Sequence, residues 1–524
     1  MVHALRSRRV VTPDGEIDGF LLIEDGLITG VHPASDLASR ASHLPVEDLG
    51  SLALLPGLVD VHTHINEPGR TDWEGFATAT RAAAAGGFTT LVDMPLNCLP
   101  ETINEAALEL KRDAAFGASH VQRTTHNVEP VGKADGNQCL VDLAFWGGAV
   151  DGNQAELEPL ARAGVAGYKC FLIYPGCDGF TEIDRANLEL AAPHIARTGL
   201  PLLTHAELAP HIDSAIAHLN RTGADWRSYQ TYLASRPDSA ELQAIELLLA
   251  LCRTHRFKLH IVHLSSAKAL PMLQAAKMEG LPVTVETCPH YLHCAAEDIP
   301  DGATLFKCAP PIRSRANRDA LWQALQSGLI DLIATDHSPC PPHMKRLPPE
   351  PPQNCHPEDP ERSERDEGPA SLACHPERSE GPASSPGIEY GRFDEAWGGI
   401  PSLSTALSIL WTDCLARNIP LTQLARWTAS APAQMAGLSP WVGSLTPGKH
   451  ANIVAFDADA TFTVTPEALH YRHPISPYMG ETLRGVVRST WLRGQRVFDH
   501  RGPAPVFPVT PAGREYTLDS LHTH

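Results

Sequence analysis

The chain has 524 residues, 43% of them hydrophobic and 20% charged, which predicts one large globular domain with room for a smaller one. Its net charge of -19 argues against nucleic acid or an anionic membrane as a partner. The sequence contains neither a signal-peptide core nor an apolar run of about 18 residues, so no membrane segment is expected. The twelve scattered cysteines are typical of a reduced, cytoplasmic protein.

The first 56 residues predict short strands separated by turns. Segments 9–11, 20–24 and 27–31 are rich in β-forming residues, and Pro13-Asp14-Gly15 and Asp25-Gly26 are hairpin signals. This part of the chain is too small to bury a core by itself.

From residue 58 the pattern changes to alternating strands and helices. Strands are predicted over residues 58–64, 89–94, 141–145, 166–172, 202–205, 258–264, 283–286 and 332–336. Helices are predicted over residues 74–85, 105–116, 156–163, 240–254, 267–278, 318–326 and 403–415. Eight such alternations predict an α/β fold, the (β/α)8 TIM barrel, whose active site lies at the carboxyl ends of the strands.

Two segments interrupt the alternation. Residues 118–139 are polar and predict a surface insertion. Residues 347–387 hold an imperfect tandem repeat, CHPEDPERSERDEGPASLA followed by CHPERSEGPASS, with almost nothing to bury, which predicts disorder. The repeat follows the eighth strand, where it could act as a lid, as a docking segment or as an inert passenger. Its two Cys-His pairs are a weak zinc-knuckle signal, because the whole unit is repeated and not the ligands alone.

The end of the chain is again rich in β-formers. After a helical stretch at 417–436, strands are predicted at 451–456 and on both sides of Arg493-Gly494 within 485–498. The two chain ends, residues 1–56 and 437–503, are therefore predicted to pair into one small β-sandwich domain beside the barrel, which comprises residues 57–436. Residues 504–524 are predicted to be a tail with little to bury.

Potential metal ligands stand at the ends of five barrel strands. They are His62 and His64, Lys169, His205, His263 and Asp336. Residues i and i+2 of a strand point to the same side, so His62 and His64 leave the first strand together. Imidazole and carboxylate groups bind Zn²⁺ and similar divalent ions. Their occurrence at matching strand ends predicts a metal site.

Lys169 needs a separate explanation, because a free ammonium group would repel bound cations. Carbamylation by CO₂ would turn this side chain into N6-carboxylysine, an anion able to bridge two metal ions about 3.5–4 Å apart. A strand-end lysine paired with an acid is the alternative.

Eight motifs extend the pattern beyond these ligands. They are EPGRTDWEGF (67–76), DMPLN (93–97), GYKCF (167–171), CPHY (288–291), KCAPPIR (307–313), TDHSPCPP (335–342), AWGGI (396–400) and YRHPISPY (471–478). With them the chain resembles, from about residue 52 to 498, the cyclic amidohydrolases of the dihydroorotase–hydantoinase–allantoinase group, and within it the allantoinases. The resemblance implies a barrel with a β-sandwich, two divalent metal ions of which Zn²⁺ is the first choice, and a homotetramer. It also implies that the six residues above hold these ions and that carbamylated Lys169 bridges them.

The departures from the related enzymes concern the substrate. Dihydroorotases have Arg where Asn66 stands, and that Arg clamps a carboxylate. Asn66 cannot neutralise a carboxylate, but its amide both donates and accepts hydrogen bonds, which suits the uncharged allantoin. The resemblance further implies substrate contacts from Asn97 and from backbone groups of Cys308 and Ala309. Tyr174 matches the oxyanion-binding tyrosine of hydantoinases in spacing, with a loop aromatic covering the pocket as the alternative.

The resemblance implies the metal-dependent hydrolysis of the cyclic amide of allantoin to allantoate, in purine and ureide catabolism. Asp336 is expected to act as the catalytic proton carrier. One alternative is a hydantoinase or dihydropyrimidinase, and these enzymes share the ligands but lack EPGR and the Ser-Pro-Cys after Asp-His. Another is a non-enzymatic scaffold that has lost its ligands, although all six positions are present here. The sequence leaves open the metal's identity, the preferred enantiomer and the oligomeric state.

Overall fold

The apolar runs of the sequence form the strands of two sheets and of a small β domain in a computed structural model, which describes residues 2–117, 136–347, 390–508 and 510–517. The strands are β1 (His3–Thr12), β2 (Gly15–Glu24), β3 (Leu27–Pro33), β4 (Val46–Asp48), β5 (Ala53–Pro56), β6 (Leu58–Thr63), β7 (Phe88–Asp93), β8 (Asp142–Phe145), β9 (Gly147–Gly148), β10 (Tyr168–Phe171), β11 (Pro201–His205), β12 (Lys258–Ile261), β13 (Val283–Thr287), β14 (Leu332–Ile333), β15 (Ile453–Thr463), β16 (Thr482–Leu492) and β17 (Gln495–Asp499).

Helices surround the barrel and extend its connections. They are α1 (Leu37–Arg40), α2 (Phe76–Gly86), α3 (Glu105–Phe116), α4 (Leu157–Arg162), α5 (Arg185–Thr198), α6 (Ala209–Thr222), α7 (Tyr229–Ser235), α8 (Asp238–His255), α9 (Leu270–Met278), α10 (Pro289–His293), α11 (Arg315–Gln326), α12 (Ala406–Ala416), α13 (Leu421–Ala425), α14 (Ala431–Met435) and α15 (Pro466–Leu469). A π-helical turn, Arg426–Ser430, joins α13 to α14. Helices α5, α6 and α7 were not among those predicted. In α6, Ile212, Ile216 and Leu219 lie at helical spacing, but Ile212 alone is buried.

The barrel consists of parallel strands, in the order predicted. Strands β6, β7 and β8 form one hydrogen-bonded set and β9 to β14 form the other. Only Trp146 separates β8 from β9, and a parallel bridge between Thr63 and His337 joins the first strand to the segment after the last. The predicted (β/α)8 fold class is confirmed, and the carboxyl ends of its strands face the same side.

The small β domain is built from both chain ends, as predicted. Its strand order is β17-β16-β15-β5-β1-β2-β3, with β4 beside β1, and the antiparallel pair β5–β15 joins the two ends of the chain. The turn at Asp25-Gly26 has φ values of 49 and 85°, and the turn at Arg493-Gly494 has 47 and 73°. Positive φ at both central residues is the geometry of type I′ hairpins, which explains these dipeptides. The exact domain boundaries stay a prediction.

The segment after residue 504 differs from the predicted tail. Leu143 N donates to Arg514 O at 2.8 Å, and Tyr516 N donates to Leu143 O at 2.8 Å, so this stretch runs along β8. The Tyr516 side chain is buried, and its hydroxyl lies 3.0 Å from an Asp142 carboxylate oxygen. A single anchoring aromatic has no periodicity, which is why the sequence pattern did not reveal the contact.

The two predicted insertions lie mostly outside the described residues, so their predicted character stays untested. The ends of the longer one are fixed, since Gly391 N donates to Arg346 O at 2.8 Å and the Arg227 side chain donates to Tyr390 O. The insertion therefore leaves and re-enters the barrel at neighbouring points. None of the helices described is both long enough and apolar enough to cross a bilayer.

Candidate active site

The six predicted metal ligands meet at the carboxyl end of the barrel. His62 and His205 lie at the ends of β6 and β11, and Lys169 lies in β10. The other three, His64, His263 and Asp336, stand one to three residues beyond their strands. Each side chain is buried, with at most 8% of its residue exposed.

One ring nitrogen of each histidine in this cluster points towards the centre of the barrel, where these nitrogens lie close to one another and to the Asp336 carboxylate. Asp336 Oδ1 lies 3.3 Å from His62 Nε2 and 3.5 Å from His64 Nε2. His205 Nδ1 lies 3.0 Å from His263 Nε2, and the rings of His62 and His263 are 5.3 Å apart. The ligand atoms of His62, His64 and Asp336 all fall within 4.8 Å of one another. Four imidazole nitrogens and a carboxylate thus converge on one small space.

The outer nitrogens of three of these rings are held by other side chains. His62 Nδ1 lies 2.5 Å from Glu286, His64 Nδ1 lies 3.3 Å from Asn97, and His205 Nε2 lies 2.7 Å from Glu207. The two carboxylates accept a ring N–H and so fix the orientation and tautomer of His62 and His205, whereas the amide NH₂ of Asn97 donates to His64. Glu286 and Glu207 did not emerge from the sequence, where the first looks like an ordinary acid within a strand and the second like an ordinary acid after one.

Glu286 is the most connected of these partners. It also lies 3.0 Å from His260 Nε2 and accepts a hydrogen bond of 3.2 Å from His263 N. Although burial opposes it, the contacts with His62 and His260 lower the pKa of Glu286 to about 2. One buried carboxylate therefore orients ligands from two different strands.

Replacing Glu286 by Gln is expected to weaken metal binding about 10- to 100-fold. The Glu286 carboxylate accepts hydrogen bonds from three N–H groups through two oxygens. A glutamine has one oxygen acceptor, and its NH₂ group cannot accept a hydrogen bond, so these N–H groups would not all be paired. Competition with a chromogenic chelator measures the affinity. The exposed Glu189, which pairs with Arg185 on the surface, gives a matched Glu→Gln control. An affinity for E286Q equal to that of E189Q would contradict this role.

Asp60 ties the first and last strands together behind the ligands. Its Oδ1 accepts hydrogen bonds from His62 N at 3.2 Å and from Thr335 N at 3.0 Å, and its other oxygen accepts one from the Thr335 hydroxyl. Burial raises the pKa of Asp60 to about 6. An acid inside the apolar run Val59-Asp60-Val61 was the available sequence signal, and it was missed.

The chemistry of the donors fits divalent metal ions. Burial lowers the pKa of His64, His205 and His263, which favours the neutral ring that binds metal. Burial also lowers the pKa of Lys169 to about 8. Among the described residues, Lys169 Nζ has no hydrogen-bond partner, and it lies 4.7 Å from the Phe171 ring. A buried, unpaired amine is costly, and a carbamate bound to metal would remove that cost.

Backbone strain is concentrated at the same place. Asn66, Asn97, His263 and Asp336 have φ values of 68, 63, 37 and 47°. This region costs a non-glycine residue about 1–3 kcal/mol and recurs at functional sites. The surrounding structure therefore holds these four residues against their intrinsic preference.

A cavity of about 310 Å³ opens above the ligands. Of the predicted substrate contacts, Asn97, Tyr174, Cys308 and Ala309 line it. Asn66 does not, because it is buried behind the wall and its Nδ2 donates to Pro339 O at 3.3 Å. Tyr174 is half exposed, and its hydroxyl donates to Asp178 at 2.5 Å, so it stands at the rim.

Four further polar residues line the cavity. Arg236, Lys307, Ser338 and Trp397 were not predicted as contacts, although the last three lie in quoted motifs. Arg236 is paired with Glu207 at 2.6 Å, and Lys307 donates to Ala396 O at 2.5 Å. The indole nitrogen of Trp397 is buried without a partner among the described residues. Because this nitrogen has almost no accessible surface, a bound molecule would reach it only if the Trp397 side chain turned.

A larger cleft, of about 560 Å³, lies at the opposite end of the barrel. Ala166, Pro201 and Lys258 line it at the amino ends of three strands. Its described lining contains no group of three metal-ligating side chains, and barrel enzymes place their chemistry at the carboxyl ends. The smaller cavity above the histidines is therefore the candidate active site.

Comparison with known proteins agrees with this geometry. Residues 53–497 match the model of the amidohydrolase family. The chain is 42% identical to an allantoinase of Streptomyces avermitilis, over 94% of both chains. It is 38% identical to an allantoinase of Arabidopsis thaliana, over 94% of this chain and 87% of the other. Its structure resembles the solved L-hydantoinase (dihydropyrimidinase) from Arthrobacter aurescens with a TM-score of 0.80 and 25% identity, covering 99% and 100% of the two chains. The protein is therefore a hydrolase that belongs to the amidohydrolase family, in its allantoinase group.

Proposed function

We propose that this protein hydrolyses the cyclic amide of allantoin to allantoate, in purine and ureide catabolism. The observation that carries the proposal is the convergence of six buried ligand residues beneath a cavity at the carboxyl end of the barrel. Relatives named as allantoinases, similar over most of the chain, support allantoin as the substrate.

Six residues would hold two divalent metal ions, which we propose to be Zn²⁺. They are His62, His64, His205, His263, Asp336 and Lys169, the last as a bridging carbamate. When bound, the ions supply Lewis acidity that activates a water molecule and polarises the ring carbonyl. Lys169 contributes by adding CO₂ at its Nζ with loss of a proton, which changes an isolated buried amine into an anion.

Asp336 is the proposed proton carrier. Its carboxylate lines the cavity and lies against two imidazole nitrogens. An oxygen of this carboxylate takes a proton from the attacking water and delivers it to the ring nitrogen as the C–N bond breaks. The carbonyl carbon keeps the hydroxyl group and the ring nitrogen keeps the proton, so the opened ring ends in a carboxylic acid and in the NH₂ of a ureido group.

The walls of the cavity would bind and orient the neutral ring. Asn97 is held between His64 and the Cys177 thiol, which donates to its Oδ1 at 2.8 Å. The Trp397 indole N–H has no other partner among the described residues and would donate to a substrate carbonyl oxygen once its side chain turned towards the cavity. Tyr174 would reach the oxyanion only after giving up its hydrogen bond to Asp178. Asn66 does not line the cavity. We therefore propose that a neutral substrate is favoured because this position lacks the arginine of dihydroorotases, and not because Asn66 contacts the substrate.

A panel of four substrates on metal-replete protein tests the proposal. Allantoin should give the highest kcat/KM, above hydantoin, dihydrouracil and dihydroorotate. The carboxylate of dihydroorotate would be desolvated without a full counter-ion, because Arg236 is paired with Glu207 and burial lowers the pKa of Lys307 to about 7. This costs about 3 kcal/mol or more, or roughly a hundredfold or more in kcat/KM. The resemblance to the solved L-hydantoinase makes hydantoin hydrolysis the second candidate. Equal or higher kcat/KM for hydantoin or dihydroorotate would overturn the assignment.

The setting of the enzyme is also a proposal. The ten cysteines that the structure describes are all buried and unpaired, which supports a reducing, cytoplasmic environment. A homotetramer rests on the family resemblance alone.

Deleting Pro348–Ser385 behind a short Gly-Ser join is expected to leave kcat/KM for allantoin within a few-fold. The bond from Gly391 N to Arg346 O already holds the two ends together, and loop length costs only about 0.6 kcal/mol per doubling. Steady-state kinetics on the full chain and the deletion variant provide the measurement. A loss beyond a hundredfold in a variant that folds and binds metal would show that the insertion belongs to the site.

A further inference from the structure

A second group of metal-ligating side chains lies beside the site. The ligand atoms of Cys288, His290 and Asp336 all fall within 4.8 Å of one another. Cys288 lies between β13 and α10, and His290 lies in the first turn of α10; both are fully buried, whereas Asp336 is 8% exposed. Cys288 and His290 have no part in the two-metal centre proposed above.

His290 is exceptional among the described histidines. Both of its ring nitrogens are buried without a hydrogen-bond partner in the part of the chain that the structure describes. The neighbouring buried His260 shows the usual situation, with Nδ1 at 2.7 Å from Thr284 and Nε2 at 3.0 Å from Glu286. Buried polar atoms are normally paired, and leaving them unpaired is unfavourable. Two orphaned nitrogens in one ring therefore point to a missing ligand.

We propose that Cys288, His290 and Asp336 form a third metal site, for a cation of borderline softness such as Zn²⁺ or Co²⁺. A thiolate, an imidazole and a carboxylate are the donors that tetrahedral zinc takes, with a fourth position left for water. The proposal rests on the proposed function through Asp336 alone, which it shares with the two-metal centre. A carboxylate has two oxygens, and Oδ1 is the one that faces His62 and His64.

The location of the site determines when it fills. Asp336 lines the cavity, while Cys288 and His290 lie behind it, so an ion would arrive through the cavity past Asp336. An ion there would lie close to two divalent ions already bound around Asp336, and like charges repel one another. The third site should therefore fill after the two-metal centre, when metal is in excess. An ion there would occupy the carboxylate that accepts the proton, so excess metal should inhibit hydrolysis.

Cobalt titration of the metal-free full-length protein tests the proposal directly. A cobalt–thiolate bond gives a near-ultraviolet charge-transfer band that histidine and carboxylate ligands do not give, and none of the six proposed ligands of the main centre is a cysteine. We expect the band to appear only after the first two ions have bound and to be lost in C288S. The band should persist in C414S, whose buried cysteine lies in α12.

Two further variants keep the test decisive. If C288S does not fold, H290Q should move the appearance of the band to at least tenfold higher cobalt. Excess Zn²⁺ should inhibit the wild-type enzyme and spare C288S. Absence of the band at any cobalt excess, or a band that survives C288S and disappears in C308S, would overturn the third site. Normal hydrolysis of allantoin with two equivalents of metal, and no band in excess cobalt, would contradict this inference alone. A band in excess cobalt, with no hydrolysis at two equivalents of metal, would contradict the proposed function alone.

Discussion

The Lys169→Ala variant is expected to lose its metal and its hydrolase activity. The loss in kcat/KM should exceed the roughly 10- to 100-fold that removal of an outer-shell partner costs, because a bridging ligand is removed. Without the carbamate, Asp336 is the one anionic side chain among the six to balance two divalent cations. The two measurements are the metal content of the protein, by inductively coupled plasma mass spectrometry, and kcat/KM for allantoin.

The state of the lysine can be observed separately. Native mass spectrometry of the wild-type protein should show the mass of one added CO₂, and removal of bicarbonate should slow the reloading of metal. Short-chain carboxylates with added metal should partly restore K169A, since they can enter the vacated space and bridge the ions. K169M is the matched control, because its apolar side chain fills that space and leaves no room for rescue. Full metal occupancy with a near-normal rate in K169A would end the carbamate hypothesis.

The Asp336→Asn variant should lose about 10²- to 10⁴-fold in kcat while it keeps its fold. The amide still offers an oxygen to metal, but it cannot take up a proton at neutral pH. Asparagine tolerates the left-handed backbone that Asp336 adopts at φ 47°, so the main chain should not move. The measurement is kcat for allantoin at saturating metal, with metal content determined on the same sample.

A control variant separates the proton carrier from general effects on this strand. Asp331 lies at the other end of β14, where it accepts hydrogen bonds from Lys277 and Val285 N, far from the cavity lining. D331N should therefore retain the wild-type kcat. If D336N with full metal content turned over allantoin at a rate within a few-fold of D331N, another group would have to carry the proton.

The sequence by itself determined the fold class and the identity of the candidate ligands. Apolar runs of four to seven residues alternate with helical periodicity, and both are local properties, so eight strands and most helices could be predicted. A ligand such as His62 or His205 was visible because it directly follows such a run. The family motifs are equally local, so they indicate the allantoinases whatever contacts the folded chain makes.

The tertiary structure alone decided which atoms meet. Glu286 lies 224 positions from His62, and Asp60 lies 275 positions from Thr335, so no periodicity links these partners. The tertiary structure also placed Asn66 outside the cavity lining and Tyr516 against β8. It placed His290 beside Asp336, without a hydrogen-bond partner for its ring among the described residues. These contacts arise when the closure of the barrel brings distant segments together. A local pattern records the conformation of a few neighbouring residues and carries no information about what will lie opposite them.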